Sequence, residues 1–162
     1  MAIPVYLWLE DDAGRIVKGS VDVNGRENSI EVCELMHSVE RPVDPFTGTI
    51  TVRPIHSSYA FMKNVDNSSP HLYRALCSGK TFKKAVFTFY QINYSGQEEE
   101  YFRTTLDNVK VTEIEPFVMD IKNSRWERHD HLEYVDFTYE KITWHYLDGN
   151  VIHSDSWKER NA

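Results

Sequence analysis

Histidines near the C-terminal end of the sequence are the best candidates for metal binding. His129 and His131 lie two positions apart, and His145 and His153 follow in segments that alternate like strands. Side chains two positions apart on a strand share a face, so such a pair could hold a zinc ion. No carboxylate or thiolate is spaced to complete a recognised ligand set. We therefore interpret these histidines as an ordinary surface patch and predict no metal.

A second group combines residue types found in hydrolases. Ser154, Asp155 and Ser156 follow His153 directly, but adjacent residues on a strand point to opposite faces and cannot assemble a triad unaided. The chain contains no G-x-S-x-G, P-loop, G-x-G-x-x-G or H-E-x-x-H motif. Its carboxylate groups lie in turn-like or outward positions and form no acid and base pair. We predict no catalytic residues, no enzymatic activity and no cofactor.

One short helix stands out in a chain that otherwise alternates like strands. Within residues 68–79, Ser69 can cap the first turn, and Pro70 suits the first helical position. Gly79 can take the left-handed conformation that ends a helix. The apolar residues at i, i+3 and i+4 are Leu72, Ala75 and Leu76. Together they predict a helix that packs one apolar stripe on a sheet.

The rest of the sequence predicts a mainly β domain. Tight-turn signals occur at Asn24-Gly25, Ser95-Gly96 and Asp148-Gly149. The apolar phase slips at Cys33, which predicts a β-bulge. The predicted strands are 3–10, 30–39, 51–63, 84–94, 98–118, 131–146 and 151–157.

The loop at 41–53 contains Pro42, Pro45 and Gly48, which deny it a continuous ladder and predict a long exposed segment. Phe46 is its unusual member. Our preferred interpretation is a phenyl ring folded back onto its own domain. The alternative is an aromatic anchor offered to a partner.

The last predicted hairpin changes its apolar phase near Glu140 and Lys141. The residues Val135, Phe137 and Tyr139 share one face, whereas Ile142, Trp144 and Tyr146 share the opposite one. Either a bulge keeps one face inward, or the strand leaves its own core and offers its second half to a neighbouring chain. The second alternative predicts an oligomer.

Composition narrows the class of protein. The 162 residues suit a single domain, predicted to span 1–162, and the net charge of −7 disfavours nucleic-acid binding. We interpret Lys80, Lys83 and Lys84 as a solvated face. The longest apolar run, at 5–9, is too short for membrane insertion, and no secretory signal is visible at the start. Cys33 and Cys77 are expected to be two thiols.

Six segments in one collinear order resemble a known family. They are AIPVYLWL at 2–9, KGSVDV at 18–23, VDNSSPHLY at 65–73, LDNVKV at 106–111, EKITW at 140–144 and DGNVIHSDSW at 148–157. The chain resembles the haemolysin-coregulated protein (Hcp) family, which forms the tube of the type VI secretion system of Gram-negative bacteria. The resemblance covers nearly the whole chain.

The resemblance implies a small closed or nearly closed antiparallel β-barrel with one short α-helix and an extended loop, assembling into hexameric rings. Stacked rings would form an exported tube that carries or chaperones effector proteins. The implied partners are further copies of the chain, the spike protein, the contractile sheath, the baseplate and effectors, without nucleic acid. The implied localisation is cytoplasmic before firing and then extracellular or within a target cell, without a cleavable signal peptide. No C-terminal toxin domain is expected.

The resemblance also suggests where assembly contacts lie. The extended loop supplies inter-ring or inter-subunit candidates, which are Arg41, Pro42, Val43, Asp44, Phe46 and Thr47. Candidates for the subunit interface are Trp144, Tyr146 and Trp157. His71 and Arg74 are candidates for an outward helix face that meets a neighbour or the sheath.

Two other functions fit parts of the sequence. A monomeric β-barrel could bind a small apolar ligand in its own interior, which the aromatic content of 13% permits. A metalloenzyme around the four histidines would require bound metal and a loss of turnover on His→Ala changes.

Overall fold

The computed structural model describes residues 2–157, so residues 1 and 158–162 of the predicted domain lie outside the described residues. The strands in chain order are β1 (Val5–Glu10), β2 (Ile16–Val17), β3 (Ile30–Met36), β4 (Val39–Glu40), β5 (Ile55–His56), β6 (Tyr59–Asn64), β7 (Phe82–Ile92), β8 (Glu98–Phe117), β9 (Leu132–Thr138), β10 (Lys141–Tyr146) and β11 (Val151–Ser156). The helix α1 (Ser69–Ser78) lies between β6 and β7, and a 3-10 turn covers Ser124–Trp126.

Six antiparallel strands close into a barrel in the order β8, β7, β1, β3, β6, β9 and back to β8. Closure removes free sheet edges within the ring of strands. The β10–β11 hairpin continues the sheet outward from β8, and β2 adds to β1. The predicted small antiparallel barrel with one helix is therefore confirmed.

The long strand β8 belongs to the barrel along its whole length but changes partner part of the way along. Its first half pairs with β7 on one side and with β10 on the other, and its second half pairs with β9. Asn108 takes a positive φ of 51° near the change, and a register shift follows between Val111 and Glu113. These irregularities bend the strand sharply enough to close the barrel.

Apolar side chains fill the barrel interior. Phe87 lies 4.6 Å from the ring of Tyr59 and 5.3 Å from that of Phe61, and Phe61 lies 4.9 Å from Phe137 (ring centroids). These pairs have the tilted and edge-to-face geometries that aromatic rings favour. Alternation along each strand places these rings inside, with aliphatic residues that include Leu7, Leu9, Ile30, Leu106 and Val135. The interior is thus a packed core.

The helix has the predicted apolar stripe, but its N-cap is not the predicted residue. Leu72 and Ala75 are buried, and Leu76 packs against the core. Gly79 ends the helix with φ 69°. The N-cap is Ser68, whose side chain makes no capping bond. Ser69 does not cap, because its buried hydroxyl instead donates to Glu133 and accepts from Lys63.

Strand β3 contains the predicted irregularity, since its pairing with β6 shifts between Val32 and Glu34. The predicted strands 30–39 and 51–63 were too long. Residues 37–38 separate β3 from β4, and 57–58 separate β5 from β6. The two short strands, β4 and β5, form a separate sheet.

The phase change in the last hairpin arises at a corner. The strand is interrupted at Tyr139 and Glu140, where the chain leaves its pairing with β6, passes from the second half of β8 to its first half, and begins pairing with β11. Ile142 is fully buried in the same core as Val135 and Phe137. The apolar side chains before and after the corner therefore face the same core. The change of apolar phase comes from a change of partner strand and not from a bulge. Ile142 does not leave its own core, so this part of the alternative is wrong.

Within residues 2–157, no helix has both the length and the apolar character that a membrane crossing requires. Cys33 and Cys77 are both exposed and unbridged, as predicted.

Candidate assembly surfaces

The extended loop, 41–54, projects from a two-stranded stem made by β4 and β5. Inside the loop, Val43 bridges Ile50. Asp44 organises the tip, because its Oδ1 accepts hydrogen bonds from the amides of Phe46 at 2.8 Å and Thr47 at 2.9 Å. These backbone bonds, with that of Thr47 the stronger influence, lower the pKa of Asp44. The tip is thus ordered by local hydrogen bonds.

Phe46 stands outside the domain with 95% of its surface exposed. The preferred expectation of a ring folded back onto its own domain is therefore wrong. The turn at Asp44 directs the chain outward, and an aromatic side chain held there has no contact with the core. Further exposed apolar residues continue from the loop to its stem, namely Val43, Ile50, Val52 and Ile55. An exposed apolar stretch of this kind is typical of protein interaction surfaces.

The stem is joined to the barrel by a polar cluster that the sequence analysis missed. Tyr139 Oη lies 2.7 Å from His37 Nε2 and 2.9 Å from His56 Nδ1. His56 Nε2 lies 2.7 Å from Asp155 Oδ2 on β11, and the His56 ring stacks on Trp157 at 5.8 Å. Ile55 and His56 are neighbours on β5 and face opposite sides, but the sequence alone did not indicate which of the two points inward.

The three predicted subunit-interface residues have different environments. Trp144 is partly buried, packs against the core and stacks on His153 with rings 4° from parallel. Tyr146 is 44% exposed beside Tyr101. Trp157 lies at the corner near Tyr139, 5.0 Å between rings. The structure brings Trp144 and Trp157 to the two sides of the histidine cluster, and Tyr146 lies toward the far end of β10.

Strand β11 ends the sheet. It pairs with β10, and no other strand in residues 2–157 pairs with it. Val151 and Ile152 are both exposed on this strand. An edge strand with unpaired backbone groups and apolar side chains can pair with another chain.

The predicted outward face of the helix is exposed. His71 and Arg74 line a groove of about 480 Å³ between α1 and the turn after β1. The groove carries both signs of charge, since Lys18 and Lys80 also line it and Asp11 forms an ion pair with Arg15 at 3.3 Å. Exposed polar side chains in a mixed groove suit a polar contact with another molecule.

Three of the four candidate metal histidines contact other side chains. His129 packs its ring against Trp126, His145 Nε2 lies 2.8 Å from Asn150 Oδ1, and His153 stacks on Trp144. In the part of the chain that the structure describes, no group of three or more His, Cys, Asp or Glu residues could hold a metal ion.

A buried ion pair beneath the helix was also missed. Lys63 Nζ lies 2.5 Å from Glu133 Oε1 and 3.2 Å from Asp66 Oδ1, and Lys63 and Glu133 are fully buried. The Ser69 hydroxyl joins the pair at the first turn of α1. Alternation was the available signal, because Lys63 follows Tyr59 and Phe61 on the inward face of β6.

Comparison with known proteins identifies the family. The profile of a family described as "Type VI secretion system effector, Hcp" matches residues 6–146. The "Major exported protein" of Pseudomonas aeruginosa is 30% identical over 167 aligned residues, which cover 98% of this chain and 97% of that protein.

Solved structures agree with the sequence match. A double mutant of Hcp1 from E. coli EAEC 042 is 52% identical, with a TM-score of 0.87 over 96% of this chain and 99% of that one. The secreted protein Hcp3 of Pseudomonas aeruginosa, at 24% identity, shares the fold with a TM-score of 0.76 over 98% of this chain and 100% of that one.

These findings support a secreted structural protein rather than a member of an enzyme family. The ligand-binding monomeric barrel is not favoured by them. The chain belongs to the Hcp family of type VI secretion tube and effector proteins.

Proposed function

We propose that this chain is the subunit of hexameric rings that stack into a type VI secretion tube, and that the tube carries effector proteins. The observation that carries the proposal is the extended loop, which presents Phe46 at an ordered tip away from its own core. Ordering by Asp44 reduces the entropy lost when the loop binds a neighbour. Arg41, Pro42, Val43 and Thr47 flank this anchor as further contact candidates.

Ring closure is supported by the edge strand β11. A contact between two different surfaces of the same chain closes into a ring when its rotation permits. Strand β11, with exposed Val151 and Ile152, is one such surface, and Tyr146 lies directly opposite Val151 in the hairpin. We assign Tyr146 and β11 to the subunit interface, and Trp144 to the support beneath them.

Cargo would be carried between chains. The interior of each barrel is occupied by packed side chains such as Phe61, Phe87 and Phe137. A ligand-binding barrel needs an internal cavity of several hundred Å³. The packed interior therefore supports a lumen at the centre of the ring as the place for effectors.

Family membership suggests the remaining partners. The outward helix face with His71 and Arg74 is our candidate for contact with a neighbouring ring or the contractile sheath, and the tube end would meet the spike and baseplate. The subunit would fold in the cytoplasm and leave with the fired tube.

Light scattering of the full chain over a dilution series, with negative-stain imaging, tests the assembly. We expect a mass near six subunits, rings with a central hole, and dissociation on dilution. A strict monomer at all concentrations would contradict the proposal.

Export needs a separate measurement. We expect the protein in the culture supernatant of a strain with an active type VI system and its retention in cells when the contractile sheath is deleted. Equal release from both strains would contradict export as part of a fired tube.

A further inference from the structure

The stem of the extended loop forms a sheet of its own. Its ladder joins Val39 to His56 and Glu40 to Ile55, and the barrel strands form a different sheet. At its base, the Ser57 amide donates to the Ser38 carbonyl at 2.9 Å. His37, just before β4, and His56, on β5, both contact one barrel hydroxyl, that of Tyr139. This shared contact joins the stem to the barrel.

The distances allow one consistent proton arrangement near neutral pH. Asp155, when ionised, only accepts, so His56 Nε2 donates to its Oδ2. Neutral His56 then has a free acceptor at Nδ1, which takes the proton of the Tyr139 hydroxyl. His37 Nε2–H donates to the same hydroxyl oxygen. Each group in the chain from His37 to Asp155 is satisfied in this arrangement.

His56 stands between Asp155 and Tyr139 in this arrangement, with 2.7 Å from Nε2 to Asp155 Oδ2 and 2.9 Å from Nδ1 to Tyr139 Oη. Burial raises the pKa of Tyr139 above its usual range, so its hydroxyl stays protonated and available to both histidines.

Protonation of His37 weakens the cluster. The titratable groups that face the pair are Tyr59 from β6, Tyr139 at the end of β9 and Asp155 from β11. Asp155 contacts His56 and is the carboxylate of this group, and the two imidazole rings are 6.5 Å apart. Burial, with a smaller effect from His56, lowers the pKa of His37. A charge on His37 would lie among the rings of Tyr59, Tyr139 and Trp144, where burial disfavours the charged form.

We propose that His37, Tyr139, His56 and Asp155 form an acid-sensitive latch that holds the β4–β5 stem against the barrel near neutral pH and releases it in acid. The stem would then move independently of the barrel while the barrel stays folded. Through the proposed function, on which this consequence rests, acidification would loosen contacts between stacked rings.

Hydrogen exchange of peptides that cover 37–58 tests the latch in the full chain. Rates at about pH 7.5 and about pH 5 are each corrected for the intrinsic exchange rate at that pH. We expect corrected exchange of the stem to rise about tenfold in acid, which corresponds to about 1.4 kcal/mol of lost stem stability. Peptides from β1 and β7 should change little. Equal corrected rates for the stem at the two pH values would overturn the proposal.

Three variants make the test specific. His37→Gln keeps an N–H donor for Tyr139 but does not titrate, so we expect slow exchange at both pH values. Tyr139→Phe removes the shared hydroxyl and should give fast stem exchange at both. The control His131→Gln removes an exposed histidine and should behave like the unmodified chain. A full acid response in His37→Gln would overturn the latch.

Light scattering of the same samples separates this inference from the proposed function. A stem that opens in acid in a chain that never forms rings would contradict the tube assignment and support the latch. Rings whose stems do not respond to acid would overturn the latch alone.

Discussion

At the scale of single residues, two aromatic side chains, Phe46 and Trp144, have opposite environments. The ring of Phe46 is almost fully exposed, whereas Trp144 packs against the core and against His153. An exposed ring contributes little to folding and is available for binding, and a packed ring contributes to stability.

The change Phe46→Ala should weaken ring stacking and leave the free energy of unfolding of the subunit within about 0.5 kcal/mol of the unmodified value. The ring is outside the core, so its loss removes no packing within the chain. Light scattering measures stacking, and urea denaturation measures stability. Ile121→Ala, an exposed apolar change in a different loop, is the control. A large loss of subunit stability with unchanged stacking would contradict this prediction.

The change Trp144→Ala should destabilise the subunit by about 3 kcal/mol, at the lower end for a truncated aromatic because the ring is only partly buried. It should also loosen the region next to His37, whose ring lies 6.3 Å from the indole. Urea denaturation of dilute protein gives the free energy of unfolding. Unchanged stability would show that Trp144 acts only between chains.

The buried pair Lys63 and Glu133 offers a residue-scale test of electrostatics. Lys63→Met should destabilise the subunit by about 3 to 5 kcal/mol, because it leaves Glu133 charged and buried without its cation. The double change Lys63→Met with Glu133→Leu should recover much of this loss, since an apolar pair of similar volume needs no compensation. A double-mutant cycle by chemical denaturation measures the coupling, and additive losses would contradict it.

At the scale of elements, the helix is determined mainly by its local sequence, whereas β8 is determined mainly by the strands that pair with it. The helix follows its sequence pattern, with a buried stripe and a glycine end. Its N-terminus departs from the pattern because Ser69 is drawn into the buried ion pair. The division of β8 between β7, β10 and β9 depends on the closure of the barrel.

The left-handed conformation of Gly79 at the C-terminal end of the helix predicts that a side chain there will reduce stability. Gly79→Ala should lower stability by about 1 kcal/mol, because φ of 69° is unfavourable for a residue with a Cβ. The cost is conformational, since an added Cβ meets nothing within 4 Å. Gly79→Asn, which tolerates this region better, should lose less. Thermal or urea denaturation measures both, and equal losses for the two variants would contradict the explanation.

At the scale of the whole molecule, the barrel is a closed and packed unit from which two surfaces project, the extended loop and the β10–β11 hairpin. Closure leaves β11 as an edge, and the separate β4–β5 sheet leaves the loop outside the barrel. Both projecting surfaces carry exposed apolar residues. A subunit of this shape is suited to assembly with further copies of itself.

The exposed edge strand β11 predicts that a charge placed on it will weaken ring assembly. Ile152→Lys should reduce the hexamer fraction and leave the subunit folded, because a charge on an exposed edge strand opposes pairing with another chain. Light scattering reports the assembly, and circular dichroism reports the fold. Lys141→Glu, which changes an exposed charge on the same hairpin, is a control. Full hexamer formation by Ile152→Lys would remove β11 from the proposed interface.

Several features were predictable because their causes are local. Alternation and turn residues indicated the hairpin of β7 and β8, the bulge in β3 and the helix with its apolar stripe. Collinear resemblance indicated the family and hence the barrel. Alternation and turn signals depend on residues within a few positions of each other in the sequence. The resemblance depends on residues that can be compared position by position with those of the family.

Tertiary structure decided the features that join distant segments. The outward position of Phe46, the pair Lys63 and Glu133, and the meeting of His37 and His56 on Tyr139 unite residues up to 102 positions apart. The sequence by itself determined the β-rich class, the helix and the family, because periodicity and resemblance can be seen in the order of the residues without any long-range contact. Which polar groups share a buried site depends on barrel closure and strand register, and those are properties of the folded chain.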